Sequence, residues 1–183
     1  FVFFNDKAEA AQKSADLVSN YWDWYPRAHP EKFYQQFGGT APTHHLYGLR
    51  EALNILVHEE GITNAWARHD TFARAVWAAV ETWGCLSLNI TDPAKRSRAV
   101  TTVRSKDDEC GRLRQWCEHQ AGLTLGIGLG FAEEGGPGWD SVFRIAHMGH
   151  LNPIMLIGAL GTLDTGMKAL NIPHGSGALD AAT

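Results

Sequence analysis

The sequence predicts a small α+β domain after about residue 90, with helices on one side of a largely antiparallel sheet. Two short β-branched runs, at 85–90 and 99–103, flank the turn-forming pair Asp92-Pro93. An apolar strand surrounds Arg144, and apolar residues recur at helical spacing elsewhere. The predicted order is helix, helix, strand, strand, helix, strand, strand, helix, which a layered α+β domain accommodates.

The composition is that of an ordinary globular protein. The 183 residues, with 44% apolar and 20% charged side chains, allow one compact unit with a short leading piece. No run approaches the roughly 18 apolar residues of a membrane span. A net charge of -4 without a Lys/Arg cluster gives no footprint for nucleic acid or an anionic membrane surface. We therefore expect neither partner.

The cysteines indicate a reducing compartment. Cys85, Cys110 and Cys117 form no CxxC pair, and their odd number argues against a disulfide framework. The first residues, FVFFNDKAEAAQK, have too short an apolar part and no basic leader for a signal peptide. We expect a cytoplasmic protein.

In the amino-terminal part, the sequence pattern predicts a strand followed by helices. Residues 1–4 are fully apolar, as in strands covered on both faces, so we expect further chain upstream. Asn5 or Asp6 can cap a short helix through Ser14, and residues 21–30 form an ordered connection.

Two long helices follow. One runs from Thr43, with Gly61 as its stop, and the next ends at Gly84. The apolar stripe of the second helix consists of Ile62, Trp66, His69, Ala73, Val76, Val80 and Trp83. Within that stripe His69 is predicted to be a hydrogen-bonded core histidine and not a metal ligand.

In the carboxyl-terminal part, the sequence pattern predicts two further helices and a strand between them. Ser105 begins a helix with three acidic residues in its first turn and a buried face of Cys110, Leu113 and Trp116 or Cys117. A strand at 123–125 and a helix over 152–169 complete the pattern.

Several site motifs fail on physical grounds. The glycines of Gly126-Ile-Gly128-Leu-Gly130 lead into a strand, so they lack the helix start that binds phosphate. Adjacent histidines such as His44 and His45 point about 100° apart on a helix, and no acidic or thiol partner has zinc-site spacing. No local signature marks a nucleophile. We expect no metal and no catalytic side chain in this chain.

Arg144 is the candidate binding residue, since it lies between Val142-Phe143 and Ile145-Ala146. A guanidinium there needs a planar anion, which a carboxylate supplies. The carboxylate could be that of Asp140 or another acid of the chain, in a purely structural pair, or that of a ligand. Residue chemistry by itself slightly favours the structural pair.

Four stretches resemble the class V aminotransferases that depend on pyridoxal phosphate, in particular the alanine–glyoxylate, serine–pyruvate and pyridoxamine–pyruvate group. They are FGGTAPTHHLYGLREAL (37–53), EEGITNAWARH (59–69), DPAKRSRAVTTV (92–103) and FRIAHMGHLNP (143–153). The resemblance implies the carboxyl-terminal part of the α/β fold type I. It would comprise the end of the large cofactor domain (1–41), connecting helices (42–84) and the small domain (85–183).

The resemblance also implies site residues. Arg144 falls on the arginine that binds the α-carboxylate of the amino or keto acid. Thr40 falls on the threonine that reaches the cofactor phosphate across a homodimer interface. Phe37 stands where many members have a tyrosine that contacts the same phosphate, and Gly38-Gly39 replaces a bulkier pair.

The lysine that binds pyridoxal phosphate covalently in this family lies upstream of the strand at Phe1, and Lys7 does not take that role. The implied function is transamination between a small amino donor (alanine, serine or pyridoxamine) and glyoxylate or pyruvate, with an upstream cofactor-domain segment as partner. The alternative is a non-catalytic binding or dimerisation module of the same fold. A cysteine desulfurase is less favoured, because no cysteine lies in a mobile catalytic loop.

Overall fold

A computed structural model describes all 183 residues, which form two compact units, 1–60 and 61–183. The helices are α1 (Asp6–Gln12), α2 (Tyr25–Ala28), α3 (Thr43–Leu53), α4 (Ile62–Trp83), α5 (Glu109–Ala121), α6 (Pro153–Ala169) and α7 (Ala178–Ala181). The strands are β1 (Ser87–Leu88), β2 (Val100–Arg104), β3 (Gly126–Ile127) and β4 (Val142–Ala146). None of these helices combines the length and the apolar character that crossing a bilayer would require.

The second unit contains an antiparallel sheet with the strand order β1-β2-β4-β3. Val103 pairs with Phe143, and Thr102 pairs with Arg144. Because side chains alternate along a strand, these two pairs lie on opposite faces of the sheet. Val103 and Phe143 are fully buried, whereas Thr102 and Arg144 are only partly buried.

The core of the second unit lies on the Phe143 face of the sheet. It joins that face to the apolar sides of α4, α5 and α6, through residues that include Val80, Leu113 and Leu160. The predicted layering is confirmed: the helices pack on an open four-stranded antiparallel sheet.

Helix boundaries follow the capping residues. Asn5 caps α1 and Asn152 caps α6 through side-chain oxygens that accept backbone N–H groups. Helix α4 ends at Gly84, which adopts the left-handed conformation that glycine tolerates best (φ 67°). These ends agree with the sequence predictions.

Two boundaries in the second unit differ from prediction. Helix α5 begins at Glu109, because the Ser105 hydroxyl accepts the Cys110 amide and residues 105–108 form a capping turn. The strand expected at 123–125 is Gly126–Ile127, because the Leu123 amide donates to Cys117 O and so completes the end of α5.

The predicted stripe of α4 is buried only in its later part. Ile62 and Trp66 are exposed, while Ala73, Val76 and Val80 are fully buried. His69 is partly buried, and both of its ring nitrogens are hydrogen bonded, to Ala65 O and to the Gly149 amide.

The first unit contains helices but no buried residue. The predicted strand at residues 1–4 is wrong: this segment pairs with no strand, and Phe1 and Phe3 are more than 90% exposed. An apolar strand needs a neighbouring strand, and every strand of the sheet comes from residues 87–146. Helix α3 passes into a π-helical turn, Asn54–Glu60, before Gly61.

Candidate functional site

Arg144 lies on β4, a central strand of the sheet, and its side chain is partly buried on the face away from the helices. Its Nε donates a hydrogen bond of 2.7 Å to the carbonyl oxygen of Ile127 on the neighbouring strand. Neither Nη1 nor Nη2 has a hydrogen-bond partner or a carboxylate oxygen within 4.0 Å in this chain. Two nitrogens of the guanidinium therefore remain available for an external anion.

Asp140 is not the partner of Arg144. Its Oδ1 lies 3.8 Å from Nη2 of Arg114 on α5, and its side chain packs directly over Gly111. The structural-pair interpretation drawn from residue chemistry is therefore wrong for Asp140.

Two small residues flank Arg144 on its own face of the sheet. Thr102 pairs with it on β2, and Gly126 pairs with it on β3. The missing side chain at Gly126 leaves room for the guanidinium to lie against β3. The Arg144 guanidinium thus lies between a hydroxyl-bearing residue and a glycine.

Thr40 lies in the first unit, in the exposed loop between the 3-10 helix Phe33–Phe37 and α3. Its hydroxyl makes no hydrogen bond within the chain. Gly38 has φ of 65°, and a side chain at Gly39 would meet nothing within 4 Å. This open loop fits a phosphate contact, since hydroxyl and backbone N–H groups are suitable donors. Thr40 and Arg144 belong to different units, so neither unit by itself brings them together.

Arg27 holds the segment that precedes this loop. Its guanidinium donates to the carbonyl oxygens of Asn20, Tyr21 and Asp23. A side chain at Gly38 would collide with the same guanidinium. Glycine at 38 is therefore a packing requirement as well as a conformational one.

A cavity of about 540 Å³ lies within the first unit beside the Thr40 loop. It is mostly apolar, and Phe4, Trp24, Phe37 and Leu46 are among its lining residues. Neither Thr40 nor a lysine lines it, so it does not offer the groups that a pyridoxal phosphate site needs.

A buried hydrogen-bonded chain lies beside the end of β4. Trp77 Nε1 donates to Thr101 Oγ1 at 3.0 Å, and Thr101 Oγ1 lies 2.9 Å from His147 Nε2. The other nitrogen of His147 lies 3.1 Å from Arg98 O. Burial lowers the pKa of His147, the hydrogen bond to Arg98 O opposes that shift, and nearby His69 adds to it. His147 is therefore a neutral structural residue.

A second cluster joins α6 to the carboxyl-terminal segment. Asp164 accepts from Trp83 Nε1 at 3.1 Å, pairs with Lys168 at 2.6 Å and lies 3.7 Å from His174. Burial acts to raise the pKa of Asp164, but hydrogen bonds from Lys168 and Trp83 outweigh it and the pKa is lowered. Every group here has a partner within the fold, which indicates a structural role.

The thiols are not nucleophile candidates. Burial raises the pKa of Cys110 and of Cys117 to about 11, and it raises the pKa of the partly buried Cys85. A thiol protonated at neutral pH reacts slowly. All three cysteines are free.

Sequence reasoning missed the partners that orient Arg144. It treated Gly126 as part of a turn, whereas the structure places it in β3 opposite Arg144. A glycine inside a strand often marks the close approach of another group, and this was the available signal.

Curated relatives match nearly the whole chain. The chain is 33% identical to serine–glyoxylate aminotransferase from Arabidopsis thaliana, over 97% of its own length and 43% of the relative's. It is 32% identical to the enzyme of that name from Methylorubrum extorquens, over 91% of the chain and 40% of the relative. No protein-family model matches the chain. The chain thus spans less than half the length of these relatives.

Solved structures share its fold over the same extent. Ureidoglycine–glyoxylate aminotransferase from Bacillus subtilis superposes with a TM-score of 0.77 at 25% identity, over 98% of this chain and 45% of that one. Pyridoxamine–pyruvate aminotransferase from Mesorhizobium loti gives 0.74 at 27% identity, over 97% and 45%. By sequence and by fold, the chain belongs to the class V aminotransferases and corresponds to a carboxyl-terminal portion of its relatives.

Proposed function

We propose that this chain supplies the small domain and the substrate-binding arginine of a pyridoxal-phosphate-dependent aminotransferase. The reaction would move an amino group from a small donor, such as alanine, serine or pyridoxamine, to glyoxylate or pyruvate. One observation carries the proposal: Arg144 keeps two guanidinium nitrogens free of any acid of the chain, on the open face of the sheet. A planar anion with two oxygens matches those two donors.

The relatives support the choice of acceptor. Serine–glyoxylate, aspartate–glyoxylate and ureidoglycine–glyoxylate aminotransferases each carry glyoxylate in their names. The donors in these names differ, whereas the small keto acid recurs. An arginine that recognises a carboxylate suits this pattern, because glyoxylate and pyruvate each present one.

Thr40 is the residue that this chain would offer to the cofactor. Its exposed hydroxyl could donate to a phosphate oxygen, in a homodimer that shares the site between subunits. Bound pyridoxal phosphate supplies the electron sink for chemistry at the amino-bearing carbon. The upstream cofactor-domain segment would supply the lysine, since Lys7 is exposed on α1. A cytoplasmic location is part of the proposal, and the three free cysteines support it.

The test is substitution of Arg144 in the protein that includes the upstream segment. Arg144→Ala should raise KM for the acid substrate by roughly 10- to 150-fold, which corresponds to about 1.5–3 kcal/mol for a charged hydrogen bond. Arg74→Ala is the control, because Arg74 makes an exposed pair with Asp70 on α4. An unchanged KM for Arg144→Ala would reject the carboxylate role.

The cofactor contact has its own test. Thr40→Val should weaken the affinity for pyridoxal phosphate, measured by the absorbance of the bound cofactor, and Thr40→Ser should retain it. If the complete protein neither binds the cofactor nor catalyses transamination, the non-catalytic module of the same fold becomes the better description.

A further inference from the structure

The guanidinium of Arg144 lies against a glycine of the neighbouring strand. A Cβ atom added to Gly126 would lie 3.2 Å from Cβ of Arg144, 3.3 Å from its Nε and 3.4 Å from its Nη2. The first two distances are shorter than most contacts that a Cβ atom makes in proteins. Any larger residue at 126 would therefore displace the arginine side chain by a few tenths of an ångström.

The next residue of the same strand fixes the direction of the guanidinium. Arg144 Nε donates to the carbonyl oxygen of Ile127 at 2.7 Å, a short and strong contact for a charged donor. Because this bond uses the Nε–H group, it leaves the edge that carries Nη1 and Nη2 for another acceptor. Strand β3 thus positions Arg144 in two ways. Gly126 leaves room for the guanidinium, and the Ile127 carbonyl oxygen accepts its Nε–H group.

The other glycine of the motif has a different role. A Cβ atom at Gly128 would lie 2.8 Å from Cβ of Val142, so that glycine allows the chain after β3 to approach β4. Gly128 packs against a buried valine, whereas Gly126 packs against the arginine. The Gly126-Ile127-Gly128 segment is therefore shaped for the Arg144 strand and not for a nucleotide phosphate.

We propose that Gly126 is a positioning residue for Arg144, and that the arginine binds the carboxylate of the small acid end-on, through Nη1 and Nη2. This inference rests on the carboxylate role proposed for Arg144 above. It adds that β3, through Gly126 and the Ile127 carbonyl, fixes the orientation before the substrate arrives. Binding through an oriented arginine loses less side-chain entropy than binding through a free one.

The geometry can be tested in this chain without catalysis. Nitrogen-15 NMR should show an Arg144 Nε–H signal protected from exchange with water, assigned by its loss in Arg144→Lys. In Gly126→Ala the exchange should accelerate at least about tenfold. Gly158→Ala is the matched control, because a Cβ atom at Gly158 meets nothing within 4 Å. In this variant the Arg144 Nε–H group should exchange at the wild-type rate.

A titration of the wild-type chain with pyruvate tests the mode of binding and does not depend on the folding of a variant. End-on binding should shift the Nη resonances of Arg144 and leave Nε–H nearly unchanged. A dominant Nε shift would overturn the proposal, as would an unprotected Nε–H in the wild-type chain.

Kinetics of the complete protein separate the two proposals. Gly126→Ala should raise KM for glyoxylate about fivefold or more, with kcat within twofold of wild type. A purely structural defect would instead lower the fraction of active enzyme and leave KM unchanged, and that result would overturn the positioning role. If Arg144→Ala also leaves KM unchanged, while the Arg144 Nε–H group of the wild-type chain is protected from exchange, the carboxylate role fails. In that case the packing of Gly126 against Arg144 stands as a structural finding only.

Discussion

His147 has no solvent-exposed surface, and its hydrogen bonds define its protonation state. Trp77 donates to the Thr101 hydroxyl, which leaves the single hydroxyl proton of Thr101 for Nε2 of His147. The other ring nitrogen, Nδ1, then carries the proton and donates to Arg98 O. A second proton on the ring would remove the acceptor of the Thr101 hydroxyl inside the core.

This arrangement predicts a loss of stability in acid. The pKa of His147 is lowered in the fold by burial, so the unfolded chain binds the proton more readily than the native one. The contribution of neutral His147 to the free energy of unfolding is fully present above the unfolded pKa of about 6.5. It is lost as pH falls through the folded pKa, and the free energy of unfolding decreases by up to about 1.4 kcal/mol per pH unit. Urea unfolding at pH 7.5, 6 and 5 should show a shallower pH slope in His147→Gln. The same substitution at the exposed His119 should leave the slope unchanged, and equal slopes for wild type and His147→Gln would contradict the prediction.

The cysteines predict an ordered reactivity. Cys110 and Cys117 are buried and have a pKa of about 11, so at pH 8 only about one thiol in a thousand is ionised. In the native protein a disulfide reagent should therefore modify the partly buried Cys85 first and the other two on unfolding. The amount of chromophore that the reagent releases, measured with and without denaturant, gives the number of modified thiols and checks this order. Cys85→Ser should remove the early phase, and rapid modification of all three native thiols would show that α5 opens readily.

At the scale of elements, the crossing of α5 and α6 depends on a missing side chain. A Cβ atom at Gly166 would lie 2.7 Å from both Leu113 Cδ1 and Trp116 Cε3 on α5. Leu113 and the backbone around Gly166 are buried in the core, so neither can move freely. Close packing therefore opposes the helix propensity that alanine would add.

Two alanine substitutions on α6 should have opposite effects. Gly166→Ala should destabilise the protein by about 1–3 kcal/mol through overpacking. Gly158→Ala, at an exposed position with open space, should stabilise it by up to about 1 kcal/mol through helix propensity. Chemical denaturation of the two variants gives both numbers. Stabilisation by both would mean that α5 shifts away without cost.

At the scale of the whole molecule, burial is concentrated in one unit. All buried residues lie in the unit formed by 61–183, while the unit formed by 1–60 has none. Since buried apolar surface is the main source of folding free energy, the second unit should carry nearly all the stability of the chain.

Removal of residues 1–60 tests this difference. The remaining chain, 61–183, should unfold cooperatively, with a free energy within about 1 kcal/mol of that of the full chain. Hydrogen exchange should likewise be slow in α4, α6 and the central strands, and fast throughout 1–60. A fragment that is unfolded in the absence of residues 1–60 would show that stability is shared between the units.

Sequence patterns predicted the second unit in detail. Capping residues and apolar spacing placed α4, α6 and β4 within a residue or two, because those signals act locally. The predicted division into 1–41, 42–84 and 85–183 stays a prediction, as do the roles of Arg144 and Thr40. The segment at residues 1–4 was predicted wrongly, because a strand requires a partner that a local pattern cannot supply.

The sequence by itself determined the order of elements from α3 to α6, the buried face of α5, and a lone arginine within an apolar strand. Only the tertiary structure decided what that arginine meets. Asp140, four residues away, pairs with Arg114, while Ile127, seventeen residues away, accepts the Arg144 Nε–H group. The physical reason is that strand pairing brings β3 alongside β4, and contacts between distant residues depend on that register and not on neighbours along the chain.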